Sequence, residues 1–372
     1  MSKIFGPNEL QEDVHNKDLC IGCGACVDLC PYFKNYKGKT CMLFPCTLSE
    51  GRCFAHCPKV EVDLDELSSR FWGRSYDESA LGAYNKIVIA RAGEDMVKGR
   101  FQAGGTVSAL MILALKTGMI DSAVLTDRDG LIPVPRLVTQ PEEVVKCSTS
   151  KYMAAPTISA LNRGAVEGYE RMGVVATPCQ VTAVAQMRIN PMGREDFKDS
   201  VALVVGLFCT WAVDTRALIS FLSERLDISR IKWMDIPPPP AEIFIIETED
   251  GKVEFPLDEI RPLVPLSCNF CPDMTSEFAD ISVGVLEGRP EWNTLIMRTE
   301  KGQELVEKAS QEGYLVIEEM PEENLEHLIW AAGNKKKRAL THAKEEGMVN
   351  TTEDGKRSIL RIDAQILEKI TV

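Results

Sequence analysis

The sequence predicts an α/β domain with α+β features, preceded by a small cysteine-rich domain. Two observations carry this. Eight of the thirteen cysteines lie within the first 60 residues, where little continuous apolar pattern is found. From Lys86 onward, short apolar runs alternate with segments of helical spacing, the texture of strands and helices packed in layers.

The 372 residues suffice for two or three domains. We divide them into a cysteine module at 1–62, a polar connector at 63–84, a main domain at 85–330 and a charged helical tail at 331–372. The connector carries Asp63, Asp65 and Glu66 ahead of Phe71 and Trp72. A net charge of −13 argues against nucleic-acid binding. No uncharged apolar stretch approaches the roughly 18 residues of a membrane span. Met1 to Gln11 lacks a basic region followed by an apolar run, so a cytoplasmic protein is expected. In that compartment thiols stay reduced and free to bind metal. Only four histidines are present (His15, His56, His327, His342), so mixed Cys/His zinc sites are poorly supplied. An all-cysteine zinc site remains open.

Elements follow in order. Strands are expected at Lys86–Arg91, Ser122–Thr126, Gly173–Thr177, Val201–Phe208, Ala279–Val285 and Thr294–Arg298, each a short run for a buried strand. Thr106–Lys116 has helical apolar spacing and stops before Gly118, a C-terminal cap. Helices are expected at Asp214–Leu226 and Thr299–Gln311. Glu242–Thr248 and Lys252–Phe255 flank Glu249-Asp250-Gly251, a hairpin signal. Pro237–Pro240 marks a rigid loop. The tail from Pro321 reads as helical, with a basic cluster at Lys335, Lys336, Lys337 and Arg338.

Cys20-x2-Cys23-x2-Cys26-x3-Cys30-Pro31 matches the bacterial ferredoxin run. Three thiolates two residues apart wrap one corner set of a cubane, and Gly22 and Gly24 are expected to let the backbone approach its sulfides. The fourth cysteine ligates the other cluster in two-cluster ferredoxins. A second group, Cys41, Cys46, Cys53 and Cys57-Pro58, repeats the end of this run with stretched earlier spacings. By the same exchange, Cys20, Cys23, Cys26 and Cys57 hold one [4Fe–4S] cluster and Cys30, Cys41, Cys46 and Cys53 a second. One cluster with a structural second group is the alternative. Gly104-Gly105 ahead of the Thr106 helix suits a cofactor phosphate, because a helix N-terminus offers free N–H groups and positive dipole. No G-x-G-x-x-G is present, so a standard NAD site has no support.

The segments Gln102–Leu110, Ser150-Lys-Tyr152, Thr177-Pro-Cys-Gln180, Gly206–Cys209, Cys268-Asn-Phe-Cys271-Pro-Asp and Ala279–Gly284 resemble the beta subunit of coenzyme F420-reducing hydrogenase and its relatives. Those relatives include the F420H2 dehydrogenase input subunit, formate dehydrogenase beta subunits and chlorophyll-pathway reductases. The resemblance covers roughly residues 85–330. It implies a flavin-binding α/β (α+β) domain behind a ferredoxin-like one. It also implies FAD and a third [4Fe–4S] cluster, held by Cys179, Cys209, Cys268 and Cys271. Gly104, Gly105, Thr106, Val107, Ser108, Ser150, Lys151, Tyr152, Thr177, Pro178 and Gln180 would lie at the FAD. Cys147 is left over as a small apolar residue on a helix.

These parts imply an oxidoreductase subunit. FAD would exchange a hydride with a soluble carrier, F420 rather than NAD, and single electrons with clusters leading to a partner. That partner would be a formate dehydrogenase, a hydrogenase or a heterodisulfide-reductase-type complex. A ferredoxin-dependent reductase of an organic substrate and a non-enzymatic relay are the alternatives. The partner is expected to dock near residues 15–60, with the acidic connector, Leu43, Phe44 and Phe54 as contacts, and residues 1–60 are expected to be removable. Protein purified without oxygen is expected to carry about twelve iron atoms in three clusters. Iron analysis giving about four per chain would contradict the two-cluster module.

Overall fold

The computed structural model describes residues 3–192, 199–353 and 357–372. An eight-stranded mixed sheet runs in the order Leu315–Glu319, Lys86–Ala92, Asn293–Met297, Ile281–Val285, Val201–Leu207, Met172–Ala176, Ser122–Asp129 and Ile132–Val138. The strands beginning at Ile281, Val201, Met172 and Ser122 run parallel. Antiparallel neighbours flank them on either side.

Successive residues on a strand face opposite ways. Val204 joins the core on one side of the sheet and Val205 the core on the other, as do Val124 and Leu125. Both faces are covered, which is why these strands read as continuous apolar runs. Helices Thr106–Lys116 and Glu300–Gln311 cover one face. Ile158–Glu167 and Pro178–Ile189 cover the other. Contact is close: a Cβ on Gly173 would sit 2.7 Å from the Ile120 side chain and 2.8 Å from that of Met111. A separate three-stranded antiparallel sheet contains Ile231–Asp235, Ile243–Thr248 and Gly251–Pro256. Its hairpin lies where the Glu249-Asp250-Gly251 signal placed it.

Several expectations are corrected. The connector contains a helix, Leu64–Trp72, because Asp63 caps it by accepting from the Glu66 N–H at 3.0 Å and Gly73 ends it at φ 65°. Strand Ile132–Val138 was missed because Pro133 and Pro135 interrupt it; prolines are tolerated on this edge strand. Cys147 ends a short 3-10 turn, Val145–Cys147.

The cysteine module also does not stand apart. Leu10, Phe33 and Phe54 share one core with Val174, Ala176 and Val181 of the main domain. Helix Ile158–Glu167 grips the first cysteine loop directly. The Ile158 N–H donates to the Cys23 carbonyl at 3.0 Å. The Asn162 amide donates to the carbonyls of Ala25 at 3.1 Å and Val27 at 2.7 Å. Gly22 and Gly24 each have a packing requirement of their own. A Cβ on Gly22 (φ 62°) would sit 2.0 Å from the Gly38 carbonyl oxygen, and one on Gly24 (φ 86°) 2.5 Å from that of Pro156. Removing residues 1–60 would therefore strip Leu10, Val14, Leu19, Phe33 and Phe54 from the core they share with the main domain.

Nor is the tail a solvated appendage. Helix Glu322–Glu345 runs across position 331, and strand Leu360–Arg361 pairs with Val62–Asp63. Lys335 and Lys336, members of the basic cluster, are buried. Lys336 pairs with buried Glu277 at 2.9 Å. Breaking such a pair from one side leaves an uncompensated charge, at a cost of about 3–5 kcal/mol. Lys336→Met is therefore expected to lower unfolding stability by that amount in denaturant titration. The double variant Glu277→Gln/Lys336→Met should recover part of the loss.

Candidate functional site

In open α/β sheets the ligand crevice lies beyond the carboxyl ends of the parallel strands. Here that crevice is a cleft of about 990 Å³. The strands ending at Ala176 and Leu207 deliver Thr177-Pro178-Cys179 and Phe208-Cys209 into it, and the Thr106 helix opens onto it. Of the non-cysteine residues predicted from sequence, Gly105, Thr106, Val107, Ser108, Ser150, Lys151, Tyr152, Thr177, Pro178 and Gln180 all line it; Gly104 does not.

Gly105 caps the Thr106 helix at φ 74°, a conformation only glycine adopts freely. Gly104 has a packing reason, since a Cβ there would lie 2.9 Å from both the Asn293 side chain and the Glu291 carbonyl. Thr106 is fully buried and donates its hydroxyl to the Ala90 carbonyl at 3.1 Å. Thus the helix start is locked to the sheet.

Other predicted residues build the walls. The Gln180 amide nitrogen donates to the Ala155 carbonyl (2.8 Å) and the Thr157 hydroxyl (3.1 Å). Its oxygen accepts from the Thr177 N–H and hydroxyl (3.0 and 3.2 Å). That side chain is committed to the protein. Lys151 donates to the carbonyls of Cys147, Ser148 and Thr149 at 3.1, 2.8 and 2.9 Å. Its three protons are thus engaged, and it offers the cleft a charge rather than a free donor. Burial brings its pKa down to about 8. Tyr152 (φ 56°) donates to Asp235 at 2.8 Å, and burial, then Asp235, pushes its phenol up. Sequence reasoning missed Asp235, an isolated acid after a strand with no motif around it.

The cysteines fall into three neighbourhoods. Cys20, Cys23, Cys26 and Cys57 line one small void. Burial, then the neighbouring thiols, pushes Cys23 and Cys26 well up. Burial alone is the largest cause that raises Cys57 to about 12. Cys53 lies beside Cys30 and Cys46; Cys41, the fourth of the expected second set, stands exposed on strand Lys39–Met42. Cys179, Cys209, Cys268 and Cys271 meet at the cleft. The groups are also linked, because Cys26 neighbours Cys53 and Cys23 neighbours Cys179. Among the described residues, no three His, Cys, Asp or Glu side chains converge tightly enough to hold a single metal ion.

Two lysines accompany the third group. Lys59 donates to the Ser267 carbonyl at 2.8 Å. Lys335 donates to the carbonyls of Cys209 (2.6 Å) and Asp273 (2.7 Å). Burial alone would lower the pKa of Lys335, but Cys271, Cys209, Asp273 and Cys268 outweigh it and the net shift is upward. Neither lysine was singled out as functional from sequence. Lys59 directly follows Cys57-Pro58, which was a usable signal, while Lys335 was hidden in a run of basic residues.

Residues 87–162 match the N-terminal part, and residues 169–323 the C-terminal part, of the family described as coenzyme F420 hydrogenase/dehydrogenase, beta subunit. The beta subunit of coenzyme F420 hydrogenase of Methanococcus voltae is 30% identical over 238 residues, 63% of this chain and 84% of that protein. The chain belongs to the family of coenzyme F420 hydrogenase/dehydrogenase beta subunits. The family is one of oxidoreductases, as its relatives' names state. An F(420)H(2) dehydrogenase subunit of Methanosarcina mazei is 28% identical, over 93% of this chain and 97% of its own length. A chain of the F420-reducing [NiFe] hydrogenase complex of Methanosarcina barkeri matches with a TM-score of 0.66 at 28% identity, covering 72% of this chain and 93% of that chain. Residues 13–32 match a 4Fe-4S binding domain, so an iron–sulfur module precedes the family's own domains. No helix among the described residues is long and apolar enough to cross a membrane.

Proposed function

We propose that this protein is the electron-input subunit of an F420-dependent oxidoreductase, carrying FAD and three [4Fe–4S] clusters. The observation that supports it most is the linked series of cysteine groups, from the cleft at Cys179 through Cys23 and Cys26 to Cys53. Electrons pass between neighbouring centres, and clusters held by three adjoining cysteine groups leading out of a cofactor-sized cleft would form such a route.

The cleft is large enough for FAD. Val107 and Ser108, in the first turn of the Thr106 helix, would face the pyrophosphate with N–H groups and helix dipole. Lys151 would add positive charge nearby, its loop held shut by its own three hydrogen bonds. When bound, FAD takes two electrons as a hydride and gives them up singly, which lets a hydride carrier feed one-electron centres. Cys179, Cys209, Cys268 and Cys271 would hold the cluster at the cleft floor. Cys20, Cys23, Cys26 and Cys57 would hold the middle one, and Cys30, Cys41, Cys46 and Cys53 the outer one.

The outer group marks where a partner redox subunit would dock. Leu43 and Phe44 are 52% and 60% exposed, and Tyr36 and Leu48 in the same stretch of chain are also exposed. Exposed large apolar side chains on the stretch that carries Cys41 and Cys46 suit a protein interface. Phe54, expected among the contacts, is buried and packs edge-on against Phe5, so it belongs to the core.

Full-length Cys179→Ala and Cys271→Ala proteins, reconstituted with iron, sulfide and FAD, test the route. Reduction of the flavin absorbance by reduced F420 should persist in both. Electron transfer to viologen should fall at least tenfold. Viologen reduction at the unmodified rate in both variants would show that these cysteines lie off the path.

A further inference from the structure

Lys59 lines three cavities: the cleft, the void within the first cysteine group and a small void beneath Cys179 and Cys271. It is 4% exposed. Its backbone N–H is directed at Cys57, while its side chain reaches across to the carbonyl of Ser267, next to Cys268. The residue therefore joins the two cysteine groups physically. Lys335, also 4% exposed, stands over Cys209 and Asp273.

Among the described residues neither ammonium forms an ion pair with a carboxylate; both end on backbone carbonyls. This is unusual, because a buried charge costs several kcal/mol unless it is compensated. The adjacent residue shows the ordinary solution, with Lys336 meeting Glu277 at 2.9 Å. What surrounds Lys59 instead is sulfur, and Lys335 faces sulfur with the Asp273 carboxylate further off. Cys57, Cys179 and Cys268 have Lys59 as a charged neighbour, and Cys209 and Cys268 have Lys335.

The geometry points to Lys59 and Lys335 as built-in counter-cations of the clusters, with Lys59 shared between the middle and cleft-side clusters and Lys335 dedicated to the cleft-side one. This rests on the reading that the two cysteine groups hold clusters. Their thiolates supply the negative charge that the buried lysines lack. Each one-electron reduction, its electron coming from the hydride donor and leaving to the partner, adds one unit of negative charge to an already anionic centre. A fixed cation in a poorly screened interior favours the more negative, reduced state and so raises the reduction potential. Lys59 makes the two clusters it touches easier to reduce together.

The test is a redox titration followed by electron paramagnetic resonance on full-length protein, with iron counted in every sample. Lys335→Met should keep its iron and make the cleft-side cluster alone harder to reduce, by tenfold or more in the equilibrium constant. For one electron that is a potential about 59 mV more negative. Lys59→Met should shift both the cleft-side and middle clusters in the same direction and leave the outer one unmoved. Lys59→Arg and Lys335→Arg keep the charge and should keep the potentials. Unchanged potentials in both Met variants at full iron content would overturn the proposal, as would Arg variants that shift as far as the Met variants. If a Met variant loses iron, retention of iron by its Arg counterpart supports the charge role and loss in both refutes it. An unmodified protein without a cleft-side cluster would instead sink the underlying reading, and the iron count reports that separately.

Discussion

The grip of helix Ile158–Glu167 on the first cysteine loop fixes the distances on which the rest of the arrangement depends. Asn162 spends its amide on carbonyls of that loop, and Ile158 donates to the carbonyl of Cys23 itself. The same helix covers the sheet whose strand ends carry Cys179 and Cys209. A single rigid element thus sets the separation of two cysteine groups contributed by distant parts of the chain. The shared core beneath, where Phe33 and Leu10 join Val174 and Val181, prevents the module from drifting. Interiors packed at crystal-like density transmit position well, and an electron route needs that constancy.

Charge is the second constraint. The chain is acidic overall, with 55 acidic against 42 basic residues, yet the side chains buried at the cysteine seam include two lysines. Neighbouring positions on one helix solve the burial problem in different ways. Lys336 takes a carboxylate partner and holds the helix to the residues around Tyr76. Lys335, one residue earlier, turns to the opposite problem of neutralising sulfur. The tail helix therefore contributes to the site as well as to the fold, because its length carries it past the cleft wall at His327 and Leu328 to the cysteines.

Much of this was legible in the residues. The central strands announced themselves as short apolar runs because both sheet faces are covered. The Cys20–Cys30 spacing declared its chemistry because a cluster imposes ligand geometry on a short loop. The Glu249-Asp250-Gly251 hairpin followed from turn chemistry alone. What was illegible depended on tertiary contact. Ile132–Val138 carries two prolines that deny a strand unless its position at the sheet edge is known. Gly22, Gly24 and Gly104 looked like cofactor glycines, yet each is required by a neighbouring stretch of chain. Gln180 looked like a ligand contact, although the Thr177 cap and the 155–157 loop consume its amide. Lys335 and Lys336 read only as part of a basic cluster, because nothing local reveals the burial that a long helix acquires by crossing the rest of the fold. In this protein the Cys20–Cys30 motif announced the iron–sulfur module that the family comparison supports, while the residues that hold its loop in place came from far away in sequence.

Anomalous diffraction at the iron absorption edge, from crystals grown without oxygen, tests the central claim most directly. The account requires three compact iron centres in a row. One lies among Cys179, Cys209, Cys268 and Cys271 at the cleft, one among Cys20, Cys23, Cys26 and Cys57, and one at Cys30, Cys46 and Cys53 with Cys41 drawn in. Iron confined to the N-terminal module, with the four cleft cysteines holding none, would contradict it.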